Sequence, residues 1–159
     1  MKKPEAFYNK IKGPRFGLFL LFRLPLAYVA GVKLLHLDQS YCSTKIRFRW
    51  INQNPFRSLY FAAMHMAAEL STGLQLYQYQ SKDFPFSMLL TQTDAQYFKK
   101  ATGTIVFTCM DGKAIETLLE NLNTKEQDVI TLKVEVKDAS KDVVAQFNYQ
   151  WSLKARPRT

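Results

Sequence analysis

Residues 55–76 are apolar on nearly every side, and this one run limits the folds open to the chain. Asn54 and Pro55 open it as a turn, and proline suits a helix start because it has no N–H to leave unpaired and its φ is already helical. Leu59, Phe61, Ala62, Ala63, Met66, Ala67, Ala68 and Leu70 then leave no polar face. A helix that is apolar all round has to be buried by other elements. Glu69 falls inside the run with no lysine or arginine three or four positions away. A carboxylate there is costly, and such positions are often functional.

The elements that could bury the helix follow from alternation of apolar and polar residues. Residues 44–50 put Ile46, Phe48 and Trp50 on one face and Lys45, Arg47 and Arg49 on the other. Residues 87–98 read as a long strand, and 103–110 as its partner across the turn at 99–102. Residues 130–136 and 143–153 alternate on either side of the polar turn 138–142. Ile115, Leu118, Leu119 and Leu122 recur at helical spacing in a short helix over 111–121. One apolar helix against a long antiparallel sheet is an α+β layer solution. Residues 1–39 read as an N-terminal helical extension and 40–159 as the main domain. The apolar stretch 17–35 is interrupted by Arg23, Pro25 and Lys33, so it reads as amphipathic helices packed on the domain, not as a membrane span. Peripheral membrane contact is the lesser reading.

With 159 residues the chain is long enough for one cored domain. Cys42 and Cys109 lie inside expected strands without metal spacing, which points to reduced thiols in a cytoplasmic protein. Two histidines, His36 and His65, do not complete a zinc site with them, so no metal is expected. The formal net charge is +9, with Lys2, Lys3, Lys10, Lys12 and Arg15 at one end and Lys154, Arg156 and Arg158 at the other. Solvated termini account for most of it. The remainder could face the phosphates of coenzyme A, an anionic membrane or nucleic acid. No RNA-binding aromatic motif or helix-turn-helix pattern accompanies the charge, so nucleic acid is not an expected partner.

Two motifs carry a family likeness. Asn54 and Glu69, fifteen residues apart, match in spacing the Asn and acid that bracket a His-Gly-Gly turn at the central helix of hot-dog-fold acyl-CoA thioesterases of the phenylacetate-pathway type. Ala95-Gln96-Tyr97-Phe98-Lys99-Lys100-Ala101-Thr102-Gly103 resembles the family's strand signature, an aromatic residue followed after two positions by Ala-Thr-Gly. The likeness covers residues 40–154. Tyr60, Phe61 and Ala62 stand where His-Gly-Gly would be. In that respect the chain looks closer to a thioesterase-like branch known only as a domain of unknown function, which keeps the acid and lacks the turn.

The resemblance implies a hot-dog fold, a long central helix wrapped by an antiparallel sheet. It implies an acyl-CoA or related acyl ligand, with the coenzyme A thioester as substrate and no further cofactor. Backbone N–H groups near Phe61, at the positive end of the helix, would hold the oxyanion. Glu69 would be general base or nucleophile, and Asn54 would orient the acid or the loop, or simply cap the helix. Tyr60, Ala62 and His65 would line the substrate site, with His65 one turn before the acid, and Lys99 and Lys100 would meet the phosphates of coenzyme A. Phe61 and Glu69 are eight residues apart, about 12 Å of helix, so the site is expected to form between subunits of a homodimer or a dimer of dimers. The alternative is a non-catalytic acyl- or lipid-binding hot-dog protein, its oxyanion pocket closed by the bulkier Tyr-Phe-Ala. A hot-dog dehydratase is a third reading, with His65 or His36 as its histidine.

Overall fold

The computed structural model describes residues 5–157 except 82 and 123; Lys2, Lys3, Arg158 and the side chain of Lys10 lie outside the described part. Three short helices come first: α1 (Glu5–Ile11), α2 (Pro14–Arg23) and α3 (Pro25–Ala30). Prolines stand in the first turns of α2 and α3, and Gly31, with φ 85°, ends α3 in the left-handed conformation. Strands β1 (Lys33–Leu37) and β2 (Cys42–Arg47) lead through a 3₁₀ turn (Trp50–Asn52) to the central helix α4 (Phe61–Tyr77). Then come β3 (Phe86–Tyr97), β4 (Thr104–Cys109), α5 (Gly112–Leu122), β5 (Gln127–Lys137) and β6 (Val143–Ala155). The six strands form one antiparallel sheet in the order β1-β2-β4-β5-β6-β3 around α4. This is the hot-dog arrangement.

Burial follows the small residues of α4. Ala63, Ala67, Ala68 and Ser71 are fully or nearly fully buried, together with Met64, Leu74 and Leu76. Short side chains let the helix backbone come close to the sheet, and the buried Thr44 Oγ1 of β2 donates to the carbonyl of Ala67 at 2.8 Å. Ile46, Ile105, Phe107, Leu132, Val134, Phe147 and Leu153 complete the core from the strands.

Four expectations are corrected. The central helix begins at Phe61, not at Asn54-Pro55. Asn54 Oδ1 accepts from the backbone N–H of Phe56 (3.0 Å) and of Ser58 (3.2 Å). That local turn competes with helix, and Arg57 takes a left-handed φ of 59° within it. Second, Lys33–Leu37 is not helix but the first strand of the sheet, so the helical extension ends near Gly31. Third, β3 pairs with β6 instead of β4. The chain after β3 crosses the start of α4, where Leu59 N donates to Ala101 O at 2.9 Å, before β4 joins β2. Fourth, Trp50 leaves the strand face and is 80% exposed. The helix at 112–122 buries the four residues its spacing singled out. No helix among the described residues is long and apolar enough to cross a membrane.

The bond from Thr44 ties β2 to the middle of α4. Thr44→Val keeps the shape and removes the donor, and is expected to lower unfolding free energy by about 1 kcal/mol, read as a lower urea midpoint at unchanged slope.

Candidate active site

The crossing between β3 and β4 puts both sequence motifs beside the start of α4. Asn54, Phe61, Met64, Tyr97, Lys99 and Lys100 line one cleft of about 280 Å³. Tyr60, the residue before the helix, forms no side-chain cap, so the first-turn N–H groups of α4 have no capping side chain. Unpaired N–H groups and the helix dipole make this end attractive to an anion. Asn54 Nδ2 donates to Ser58 Oγ at 3.0 Å, which with the turn above makes Asn54 the organiser of the loop ahead of the helix. Glu69 lines a different cleft. Tyr60 is 54% exposed, Ala62 is half-buried, and the Phe61 ring lies 4.3 Å from that of Tyr97.

Lys99 and Lys100 differ. Lys99 Nζ pairs with Asp138 (2.7 Å) and Asp142 (2.6 Å), hydrogen bonds that push its pKa up to about 12 and hold the β5–β6 turn against the crossing. Among the described residues Lys100 Nζ has no carboxylate partner; it donates to the carbonyl of Phe56 at 3.3 Å and lines the cleft.

Glu69 is not enclosed by its helix as its apolar neighbours suggest. It sits on an open stripe of α4 at every fourth residue, through Phe61, His65, Glu69, Gly73 and Tyr77, none of which is buried in the single chain. Arg23, Leu24, Leu26, Ala27, Met66 and Glu69 line a second cleft, of about 310 Å³, between the α2–α3 corner and α4. Loss of hydration among these apolar walls raises the Glu69 carboxyl above its ordinary value of 4.5.

His65 lies between the two clefts but turns toward the sheet. Its Nδ1 is 2.9 Å from Tyr149 Oη, and Tyr149 Oη donates to the His65 carbonyl at 3.2 Å. The imidazole packs edge-on to Phe147, with centroids 4.8 Å apart. Burial, then the charge of Glu69, pushes the Tyr149 hydroxyl well above its ordinary value of 10. Tyr149 thus stands near Glu69 and is bound to His65.

The fold therefore gathers Asn54, Phe61, Lys99 and Lys100 at the helix start and leaves Glu69 two turns along, with Arg23. Sequence reading missed Arg23 and Tyr149. Arg23 was visible as the charge that interrupts an apolar run. Tyr149 was visible as a hydroxyl on the inward side of an alternating strand, where it needs a partner.

Burial also lowers the His65 pKa from its ordinary 6.5. The folded state thus holds the neutral imidazole, and this contribution to stability is present above pH 6.5 and fades as pH falls from there through the folded value. An NMR titration of the His65 ring is expected to give a midpoint below 6.5, and Tyr149→Phe to shift its ring signals without moving those of His36.

No curated protein matches the chain. Among solved structures, the Pseudomonas aeruginosa protein PA5026, described as of unknown function and a probable thioesterase, is 18% identical with a TM-score of 0.78, over 91% of this chain and 97% of that one. A Chlorobaculum tepidum protein of unknown function, OLEI01261, is 15% identical with a TM-score of 0.76, over 97% and 98%. The Haemophilus influenzae thioesterase HI1161 is 8% identical with a TM-score of 0.67, over 87% and 88%. At these identities the likeness is one of fold. Residues 14–153 match the family described as Domain of unknown function (DUF4442), which takes in all of the sheet and both clefts except the last two residues of β6, and the chain belongs to that family.

Proposed function

We propose that the protein hydrolyses an acyl-CoA thioester across a homodimer. The observation that carries this reading is the pairing of an uncapped central-helix start with a carboxylate two turns along it in an apolar cleft. In the reaction Glu69 takes a proton from water, the resulting hydroxide attacks the thioester carbonyl, and N–H groups of the first turn, near Phe61, hold the oxyanion. Collapse breaks the C–S bond, and the proton returns from Glu69 to the departing thiolate. Glu69 acting as nucleophile through an anhydride is the variant of the same assignment. Asn54 keeps the helix start in place, Tyr60, Ala62 and His65 border the substrate, and Lys100, more than the ion-paired Lys99, faces the phosphates. The fold relatives described as thioesterases add to this reading.

The same geometry supports a dimer. Eight residues of helix separate Phe61 from Glu69 by about 12 Å, so the helix start of one subunit works with Glu69 of the partner subunit. Strand β3 supports this, because it ends the sheet with twelve residues and has no neighbour on its outer side among the described residues. A long bare edge is a template for pairing. Exposed Phe61 and Phe98 beside it are the apolar residues such a contact would cover. Free buried thiols at Cys42 and Cys109 fit a cytoplasmic setting.

A second reading has its own support. The Phe61 ring packed on Tyr97 crowds the place where the family's turn keeps glycine, which favours a protein that binds acyl groups without cleaving them. Hydrolysis measured over a panel of acyl-CoAs separates the two; binding without turnover selects the second.

Glu69→Gln is expected to lower kcat at least about a hundredfold with the fold intact. Because the folded state favours protonated Glu69, ionisation costs stability as pH rises from 4.5 through the raised folded value. The variant's Tm should therefore equal or exceed that of the wild type at pH 7, with the gap closing below pH 4.5. Retained turnover removes Glu69 from the mechanism.

Light scattering at micromolar concentration is expected to give at least twice the mass of one 18.4 kDa chain. A monomer would rule out a site shared between subunits.

A further inference from the structure

On the sheet face turned away from α4, four cations collect without a counter-charge. Thr44 and Ile46 of β2 point inward, so Lys45 and Arg47 point out. Lys33 of β1 is the direct register partner of Lys45. Like charges directly opposed on paired strands repel. Arg49 closes the group. Its guanidinium occupies the space above Gly31 where any side chain would sit, and Gly31 also holds a φ of 85°. These residues line a cleft of about 360 Å³ whose lining contains no carboxylate. A second lobe of about 520 Å³ shares Gly31, Lys33, Lys45 and Arg49 and runs on to Phe16, Tyr28 and Leu35. None of the four cations forms an ion pair with a described carboxylate, although Lys99, Lys125, Lys137 and Lys154 all do.

We infer that this cleft binds a phosphate or pyrophosphate group. Two opposed lysines and two arginines, one of them with its guanidinium tip over a glycine, supply charge and forked donors beside the paired strands. An anion between Lys33 and Lys45 turns a repulsive pair into an attractive one. The apolar second lobe leaves room for the body that carries the phosphate. That body can be a nucleotide such as coenzyme A or the glycerol and acyl chains of an anionic lipid, and the phosphate chemistry is the same for both. The site lies on the other side of the sheet from Glu69, so its binding is read without turnover and stands or falls apart from the thioesterase reading.

Inorganic pyrophosphate is the probe. At millimolar concentration and low salt it is expected to raise the Tm of the full chain by at least about 2 °C, with the rise shrinking as salt screens the cleft. Lys33→Glu should abolish that rise while leaving the pyrophosphate-free protein as stable as the wild type or more so, because Lys45 then faces a carboxylate. Lys45→Gln should cut pyrophosphate affinity at least tenfold. No rise in the wild type, or a rise undiminished in both variants, overturns the site. Two further arms give the source of the phosphate. Coenzyme A competing with pyrophosphate assigns it to a nucleotide, and co-sedimentation with phosphatidylglycerol vesicles that Lys33→Glu abolishes assigns it to a lipid headgroup. If pyrophosphate binds and neither arm responds, the site takes free inorganic phosphates.

Discussion

The structure turns on how closely α4 lies against β2 and its neighbours. Ala63, Ala67 and Ala68 give the helix a flat side, and Thr44 ties its middle to the sheet. Once that side is seated, the stripe at every fourth residue is only partly covered, by β3 at Phe61 and by β6 at His65 and Gly73, and stays open at Glu69. Glu69 is on it because the seat is where it is. An extra methylene on the seated side would lift the helix and shift the clefts at both its start and its middle, since cores transmit strain instead of absorbing it.

Two clefts on one helix have different electrostatics. The one at the helix start offers N–H groups and a lysine, Lys100, and so favours negative charge. The one around Glu69 is walled by leucine, proline, alanine and methionine and favours the uncharged acid, with Arg23 at its rim. The acyl-CoA proposed above has that same polarity, a thioester carbonyl and phosphates beside an apolar chain. His65 and Tyr149 bridge the space between and fix the aromatic wall formed with Phe147.

Much of this was legible in the sequence. Alternation located the strands at residues 87–98, 130–136 and 143–153 to within a few residues, because half-buried strands must alternate. The helix at 112–122 was fixed by four leucine and isoleucine positions. What escaped was decided by single local bonds or by distant pairing. The start of α4 moved six residues because one asparagine side chain captured two backbone N–H groups. Lys33–Leu37 hid as helix because an apolar run of that length looks the same in either form. The pairing of β3 with β6 was invisible because antiparallel neighbours far apart in sequence leave no local mark. At the site, the Asn and acid spacing was plain, but the ion pairs of Lys99 depend on a turn forty residues away.

Cys42 and Cys109 face each other across β2 and β4, both wholly buried, and burial drives both thiols upward, Cys109 to about 12. At pH 7 a thiol with that pKa is ionised in roughly one molecule in 10⁵, and only the thiolate reacts. An alkylating reagent therefore meets these sulfurs only when the middle of the sheet parts. Their rate of modification becomes a clock for that opening, one that reports from beneath the central helix without any label having been added to the chain.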